Sequence, residues 1–545
     1  MGGGTSLWAS PDWKKDPREI FNRKLLLLGI TVAFAGCSYG FDQGNIGGVL
    51  TFKSFRHAMG FDGLSEAEVS AREGNIAAML AAGGTGGALA AAPLSDFLGR
   101  KMAVTIAAGL FLVGCAMQEV PRLGVFYAGR FLGGLAIGAT SMLAPQYLAE
   151  NSPKSVRGSL TTSYNLMIVI ALALAFWTNY GVSKWPQDPN NYLQWQLALG
   201  IQLIPGGFLF ILIWFVIETP RALISKGKRD LGLRNLCKLR GLPEDHPYVR
   251  GEYMEICAQA DEEQEKAKGQ SYWVIAKEIL FVASNRRRLF LAVTLFVFHK
   301  LTGTDSLNYF APQIFAMVGV PRGSGSLLTT GVYGIVKVVT TLAYVTVVVD
   351  RVGRRLPLLV GALIQGSAML YLALFIKFAK PEEGGGTSAG GIVGVVWIYA
   401  YAFGWSFGHC VAPYVVAAEI FPARIRSVCM AICLFSNWIV NYGITSATPH
   451  MIRRMGWGTF LFFAISTYVG VAFIYLCLPE LKGRSLESMD DLFDRSIWTM
   501  WKHAYPTEEE KMRHGVQDML DRQVKTQELD DYEAKCSTVH AERKV

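Results

Sequence analysis

Apolar runs of about 20 residues, the length that crosses a hydrocarbon core, recur along the whole chain and are separated by short charged loops. Twelve are read, at roughly 25–50, 75–95, 102–121, 123–146, 158–180, 193–217, 287–318, 326–349, 355–378, 392–418, 427–448 and 457–478. Each predicts a helix, because a backbone in lipid has to satisfy its own polar groups. Six runs precede a polar stretch at 218–286 and six follow it. Within that stretch the Glu/Ala/Lys-rich segment from Gly251 to Lys268 predicts short helices lying on the membrane face. The first run follows a polar lead and carries Asp42-Gln43 instead of a small-residue cleavage site, so it reads as a span and not as a cleavable signal.

The charged loops repeat as well. Asp96-Phe97-Leu98-Gly99-Arg100-Lys101 returns as Asp350-Arg351-Val352-Gly353-Arg354-Arg355. The segment from Pro145 to Glu150, with Pro153 and Arg157, is echoed by Pro413 to Glu419 with Pro422 and Arg426, and Glu218 is echoed by Glu480. All three pairs keep an offset of roughly 260 positions, the mark of an internal duplication common in secondary transporters. The fold class expected is an all-α membrane protein of twelve transmembrane helices in two pseudo-symmetric six-helix halves. Its parts are an N-terminal segment 1–24, a first half 25–217, a central loop 218–286, a second half 287–478 and a tail 479–545. The tail is polar and mixed in charge beyond Glu487, and partial disorder is expected there.

Composition agrees: 51% of residues are hydrophobic and 17% charged. The net charge of +9 reads as topology and not as a nucleic-acid surface. Arg100, Lys101, Lys154, Arg157, Arg351, Arg354, Arg355, Arg424 and Arg426, with the central loop, all fall on one side, which the positive-inside bias makes cytoplasmic. Both termini are then cytoplasmic. The nine cysteines have neither metal-ligand nor disulfide spacing and read as packing residues. Gly83-Gly84-Thr85-Gly86-Gly87 lies in an apolar run without the lysine of a phosphate-binding loop, so it reads as close helix packing. No nucleophile–base constellation, cofactor motif or metal site is found, which argues against an enzyme.

Two sets of charges stand out. Asp42 is a carboxylate inside an apolar span, a functional candidate by its cost alone. The first span runs outward and the fourth inward, which puts Arg130 at a similar depth and makes a buried pair possible. The second set lies at the cytoplasmic helix ends: Asp96, Arg100, Glu150, Arg157, Glu218 and Arg221 in the first half, with Asp350, Arg354, Glu419, Arg426 and Glu480 in the second. Carboxylates and guanidiniums of neighbouring helices can pair there and latch an inner gate.

Gly40-Phe41-Asp42-Gln43-Gly44, Gly129-Arg130-Phe131-Leu132-Gly133, Glu218-Thr219-Pro220-Arg221, Asn437-Trp438 with Asn441, and Pro479-Glu480-Leu481-Lys482-Gly483, taken in order with the repeated loops, resemble the sugar porter family of the major facilitator superfamily over residues 25 to 490. The resemblance implies a secondary transporter working by alternating access, with a proton taken up at Asp42 and tuned by Arg130. It also implies a small-molecule substrate, no cofactor, a monomer in the lipid bilayer and the plasma membrane as location. Phe97 and Ala92 depart from the family's first loop, where a basic residue and Gly are usual.

The substrate positions depart further. Where the family carries two Gln and an Asn in the seventh span, this chain has His299, Lys300 and Asp305, followed by Asn308 and Tyr309. Lys337 in the eighth span reaches a similar depth. Asn165, Tyr414, Asn437 and Trp438 complete the contacts that the resemblance implies. Two readings stay open. The lysines form a cationic subsite for a carboxylated polyol such as quinate or a uronic acid, which the resemblance to fungal quinate-permease-like porters favours. Alternatively, Lys300 pairs with Asp305 and Lys337 snorkels away, which leaves a neutral hexose or pentose carrier. A non-transporting nutrient sensor is the third reading.

Overall fold

A computed structural model describes residues 16 to 505 except positions 154, 187, 268–271, 349–351, 382–385, 482–488, 490–491, 495–499 and 503. Among the described residues every regular element is helical. The first half contains α1 (Arg23–Val49), α2 (Glu66–Leu98), α3 (Arg100–Gln118), α4 (Leu123–Asn151), α5 (Arg157–Val182) and a sixth span made of α6 (Leu193–Gly200) and α7 (Leu203–Leu212). Four short helices follow: α8 (Pro220–Ser225), α9 (Arg229–Arg240), α10 (Pro247–Ala267) and α11 (Tyr272–Phe281). The second half contains α12 (Ala283–Leu301), α13 (Thr304–Met317), α14 (Ser324–Ala343), α15 (Arg355–Ala379), α16 (Ala389–Gly404), α17 (Ala412–Ile420), α18 (Ala423–Met455) and α19 (Trp457–Cys477).

Eleven of the spans are long and apolar enough to cross a membrane as they stand. The remaining one, the seventh, is α12 and α13 together. It breaks at Gly303, whose φ of +87° is left-handed backbone and whose α-hydrogen faces the Phe463 ring. At the break the Thr302 carbonyl accepts from the Tyr401 hydroxyl of the tenth span at 3.1 Å, so a neighbouring helix pairs the interrupted backbone. The tenth span is interrupted too: α16 passes through a π-helical turn, Trp405–His409, before α17.

Within the first half, α2 packs on α4 through glycines. A Cβ on Gly83 or Gly87 would meet the carbonyl oxygens of Phe131 and Leu135 at 2.1 Å, so the glycine-rich run is a packing surface as expected. The two halves meet along α2 against α18 and α5 against α14. They close together at the face where α1 ends and α2 begins, opposite the one where α1 begins and α19 ends. There Gly74 abuts the Ser446 carbonyl and Gly47 abuts that of Tyr309. Glu73 accepts from Arg56 of its own half (2.9 Å) and from Gln313 of the other (3.2 Å).

The described start of the tail packs against the bundle. Met489, Leu492, Phe493, Met500 and Ala504 are buried, and Glu480 N–H donates to the Ala504 carbonyl at 2.8 Å. Arg287 donates to the carbonyls of Phe493 and Asp494, and Arg288 stacks on the Phe493 ring. The apolar residues of this segment are too scattered among charges to form a periodic pattern, but they reach a cluster already built by α12, α17 and α18.

Candidate substrate and coupling site

The centre of the bundle holds five ionisable side chains, none more than 4% exposed: Asp42 on α1, Arg130 on α4, Lys300 on α12, Asp305 on α13 and Lys337 on α14. Asp42 and Arg130 form a fully buried ion pair. Arg130 Nε donates in addition to the Ile76 carbonyl of α2 at 3.2 Å. Asp42 Oδ2 and one terminal guanidinium nitrogen of Arg130 have no hydrogen-bond partner, and the Tyr309 hydroxyl of the other half faces that guanidinium. A pair so placed is held but not saturated.

Lys300 Nζ lies 2.7 Å from Asp305 Oδ2, joining the two halves of the broken span. Asp305 Oδ1 accepts from Gln43 Nε2 at 2.9 Å, a link between the two halves of the molecule. Asp305 sits in the first turn of α13, where the helix dipole favours an anion. The pairing of Lys300 with Asp305 is therefore the alternative that the geometry bears out for this lysine.

Lys337 does not snorkel. Its ammonium donates to Asn308 Oδ1 at 3.1 Å and stands over the Trp405 ring, 3.7 Å from the centroid, with Tyr333 at 5.5 Å. Tyr333 OH donates to the same Asn308 oxygen at 3.3 Å. Among the described residues no carboxylate forms an ion pair with Lys337. Three basic groups thus stand with two carboxylates, and Lys337 is the one of the three that no carboxylate meets among the described residues.

His299 lies beside this cluster, its ring 6.0 Å from His409, 6.2 Å from Tyr414 and 6.5 Å from Trp405. Its Nδ1 is buried without a partner, whereas His409 Nδ1 meets Gln365 Nε2 at 2.8 Å. Asn437 reaches the Tyr414 hydroxyl and leaves its own Oδ1 unpaired. Trp438 packs between the halves, against Gly84 and Tyr39. Asn165 is half-buried on α5, and among the described residues no hydrogen bond ties its side chain to the cluster. Gln43, Trp405 and Tyr333 belong to the constellation but carried no expectation. Gln43 adjoins Asp42 in a motif already singled out, so a signal existed. Trp405 lies in an apolar run where one more aromatic carries no signal.

At the face where α1 begins and α19 ends the duplicated charges repeat their geometry. Arg100 pairs with Glu150 at 3.2 Å and Arg354 with Glu419 at 2.8 Å. Glu218 accepts from the backbone N–H of Arg100 and Lys101, and Glu480 from those of Arg354 and Arg355. Each carboxylate thus seats on the N-terminus of a helix, α3 or α15. It fits because Gly99 and Gly353 have φ of +99° and +86° and no side chain, and a Cβ at either would stand 2.5 Å from a carboxylate oxygen. These ion pairs lie within each half and not between halves. Arg426 turns back onto the Phe421 carbonyl, and Arg157 and Arg221 lie near Glu252 and Arg426. Asp96 is exposed, 3.8 Å from Arg100, and Asp350 lies outside the described residues.

Residues 28–493 match the family described as "Sugar (and other) transporter". The chain is 34% identical over 530 residues to a probable quinate permease of Aspergillus fumigatus, covering 94% of this chain and 96% of that one. It is 35% identical over 505 residues to a quinate permease of Emericella nidulans, covering 90% and 93%. Among solved structures, the proton:xylose symporter XylE bound to 6-bromo-6-deoxy-D-glucose superposes with a TM-score of 0.70 at 23% identity, covering 86% of this chain and 99% of that one. An inward-open XylE structure from E. coli gives 0.70 at 22%, with the same coverage. A likeness at that identity carries the twelve-helix fold, while the permease relatives and the family match carry the kinship. The chain belongs to the sugar transporter family of the major facilitator superfamily and is a multi-pass membrane transporter, not an enzyme.

Proposed function

We propose that this transporter carries a monocarboxylated polyol, of the quinate or uronate class, together with a proton. The observation that supports this best is Lys337: a fully buried ammonium whose partners are one neutral amide oxygen and an aromatic face. A buried charge calls for a counter-charge, and a substrate carboxylate supplies it. Asn308, Tyr333, His299 and the unpaired Asn437 Oδ1 offer hydrogen bonds for hydroxyls. The quinate permease relatives point the same way.

The proton is assigned to Asp42. Protonating it weakens the hold of Arg130, and through Tyr309 and Gln43 the change reaches α13. Alternating access then consists of one half rocking on the other, with the face where α1 ends and α2 begins closed in the arrangement described here. The termini are taken as cytoplasmic and the membrane as the plasma membrane, on the positive-inside bias. The charges at the face where α1 begins and α19 ends brace each half as it rocks, instead of latching half to half.

The test is uptake of radiolabelled quinate, galacturonate, glucose and xylose by transporter-deficient yeast expressing the full chain, at two external pH values, with Lys337→Asn alongside. Carboxylate uptake that rises at acid pH and is lost in Lys337→Asn is expected. Hexose uptake indifferent to Lys337 would replace this reading with that of a neutral sugar carrier.

A further inference from the structure

We propose that Asp305 sets the charge of the substrate, making the site selective for a single negative charge over two or none. The inference rests on the anionic reading above. Both oxygens of Asp305 are engaged, one by the Lys300 ammonium at 2.7 Å and one by the Gln43 amide at 2.9 Å, and the residue opens a helix whose dipole adds to the hold. Lys300 is therefore already neutralised from within the chain. The Asp42–Arg130 pair, which carries the coupling proton, stands outside the count made here, which is of Lys300, Asp305 and Lys337. Lys337 alone is left to be balanced, and one substrate carboxylate balances it.

A neutral polyol in the same site leaves a buried cation uncompensated, and a dicarboxylate leaves a buried anion so. The discrimination thus comes from the count of charges on Lys300, Asp305, Lys337 and the substrate, which a proton on Asp42 leaves unchanged. The cross-half bond from Gln43 matters here because it ties Asp305 in place when the halves are together, so the count applies to the closed carrier. Asp305→Asn keeps the shape and an oxygen for Gln43 but removes the anion, which raises the surplus from one charge to two. Lys300→Gln lowers the surplus to zero. The double variant Lys300→Gln/Asp305→Asn restores it to one.

The experiment measures quinate, a monoanion, against galactarate, a dianion, and glucose, neutral, at pH 7 in transporter-deficient yeast, with each variant's amount in the membrane measured by an epitope tag. Asp305→Asn is expected to raise the galactarate-to-quinate uptake ratio about tenfold, equivalent to about 1.4 kcal/mol of changed preference. The double variant is expected to return the ratio to the wild-type value, which a merely structural role of Asp305 would not do. An unchanged ratio in Asp305→Asn protein that reaches the membrane overturns the proposal. Should that variant not reach the membrane, Lys300→Gln decides: it is expected to lose quinate relative to glucose, and a retained wild-type preference overturns the proposal. A wild type that carries only glucose overturns both this inference and the anionic reading. Wild-type quinate uptake with unmoved variant ratios overturns this inference alone.

Discussion

The Lys337 ammonium stands 3.7 Å from the centroid of the Trp405 ring, and the ring is presented by a π-helical turn that interrupts the tenth span. Such turns widen a helix by one residue and redirect the side chains that follow, which is why they gather at functional sites. Here the turn aims an indole face at a buried cation, and Ser406 of the same turn donates to the Lys337 carbonyl at 3.3 Å. Side chain and backbone of Lys337 are therefore both positioned from the tenth span.

Removing the ring face removes a desolvated cation–π contact, worth about 2 kcal/mol. Trp405→Leu is expected to raise the KM for quinate roughly tenfold to thirtyfold, and Trp405→Phe by a smaller factor, since a benzene ring keeps part of the interaction. Uptake kinetics normalised to membrane abundance check the order wild type, Phe, Leu. Equal kinetics for all three would mean that Asn308 alone positions the ammonium.

The seats of Glu218 and Glu480 make a prediction about stability. Gly99→Ala and Gly353→Ala each force a side chain into a backbone conformation that only glycine adopts readily, at a cost of about 1–3 kcal/mol, and push a Cβ against a carboxylate. Both variants should lower the melting temperature of the solubilised protein. Gly207→Ala, where nothing lies within 4 Å of the new methyl group, is the control expected to melt with wild type. Because the two seats are equivalent by duplication, the two losses should be similar in size.

How far the sequence foretold all this depends on the kind of interaction. The spans were legible because each is a long run that lipid itself demands. Asp42 and Arg130 were legible as a pair because helix rise fixes their depth. Which carboxylate meets which guanidinium was not: the cytoplasmic charges were legible as a set, and only the fold gives Glu150 to Arg100 and Glu419 to Arg354. Trp405 was hidden because its role depends on a π turn that no periodicity announces. The packed start of the tail was hidden because Met489, Leu492 and Phe493 find their apolar neighbours on distant helices.

Gly74 on α2 lies against the Ser446 carbonyl of α18, where a Cβ would stand at 2.7 Å. This contact joins the halves at the face where α1 ends and α2 begins, beside the Gln313–Glu73 bond. Gly74→Leu is expected to reach the membrane in normal amount and to lose most uptake, because the halves can no longer close there. Binding offered from that face, measured by ligand protection against thermal unfolding, should survive. A variant that transports at the wild-type rate would show that this approach is not required for the cycle.

Charge also predicts how transport responds to voltage. A carrier that moves one proton on Asp42 with one monocarboxylate beside Lys337 moves no net charge per cycle. Uptake by this chain in proteoliposomes should therefore follow the pH gradient and stay unchanged when a potassium diffusion potential is imposed. A proton taken with a neutral sugar would instead be driven strongly by voltage, at about 2.3 kcal/mol per 100 mV. Asp42→Asn separates the two components. It should abolish accumulation against a gradient yet leave exchange of internal for external quinate partly intact, because Lys337 and Asp305 remain as they were. Its downhill quinate flux should now respond to voltage, since the anion crosses without its proton. Uphill uptake persisting in this variant would remove Asp42 from the proton's path, and a voltage-independent flux would place a second proton acceptor in the centre, where the unpaired Nδ1 of His299 is the first group to test.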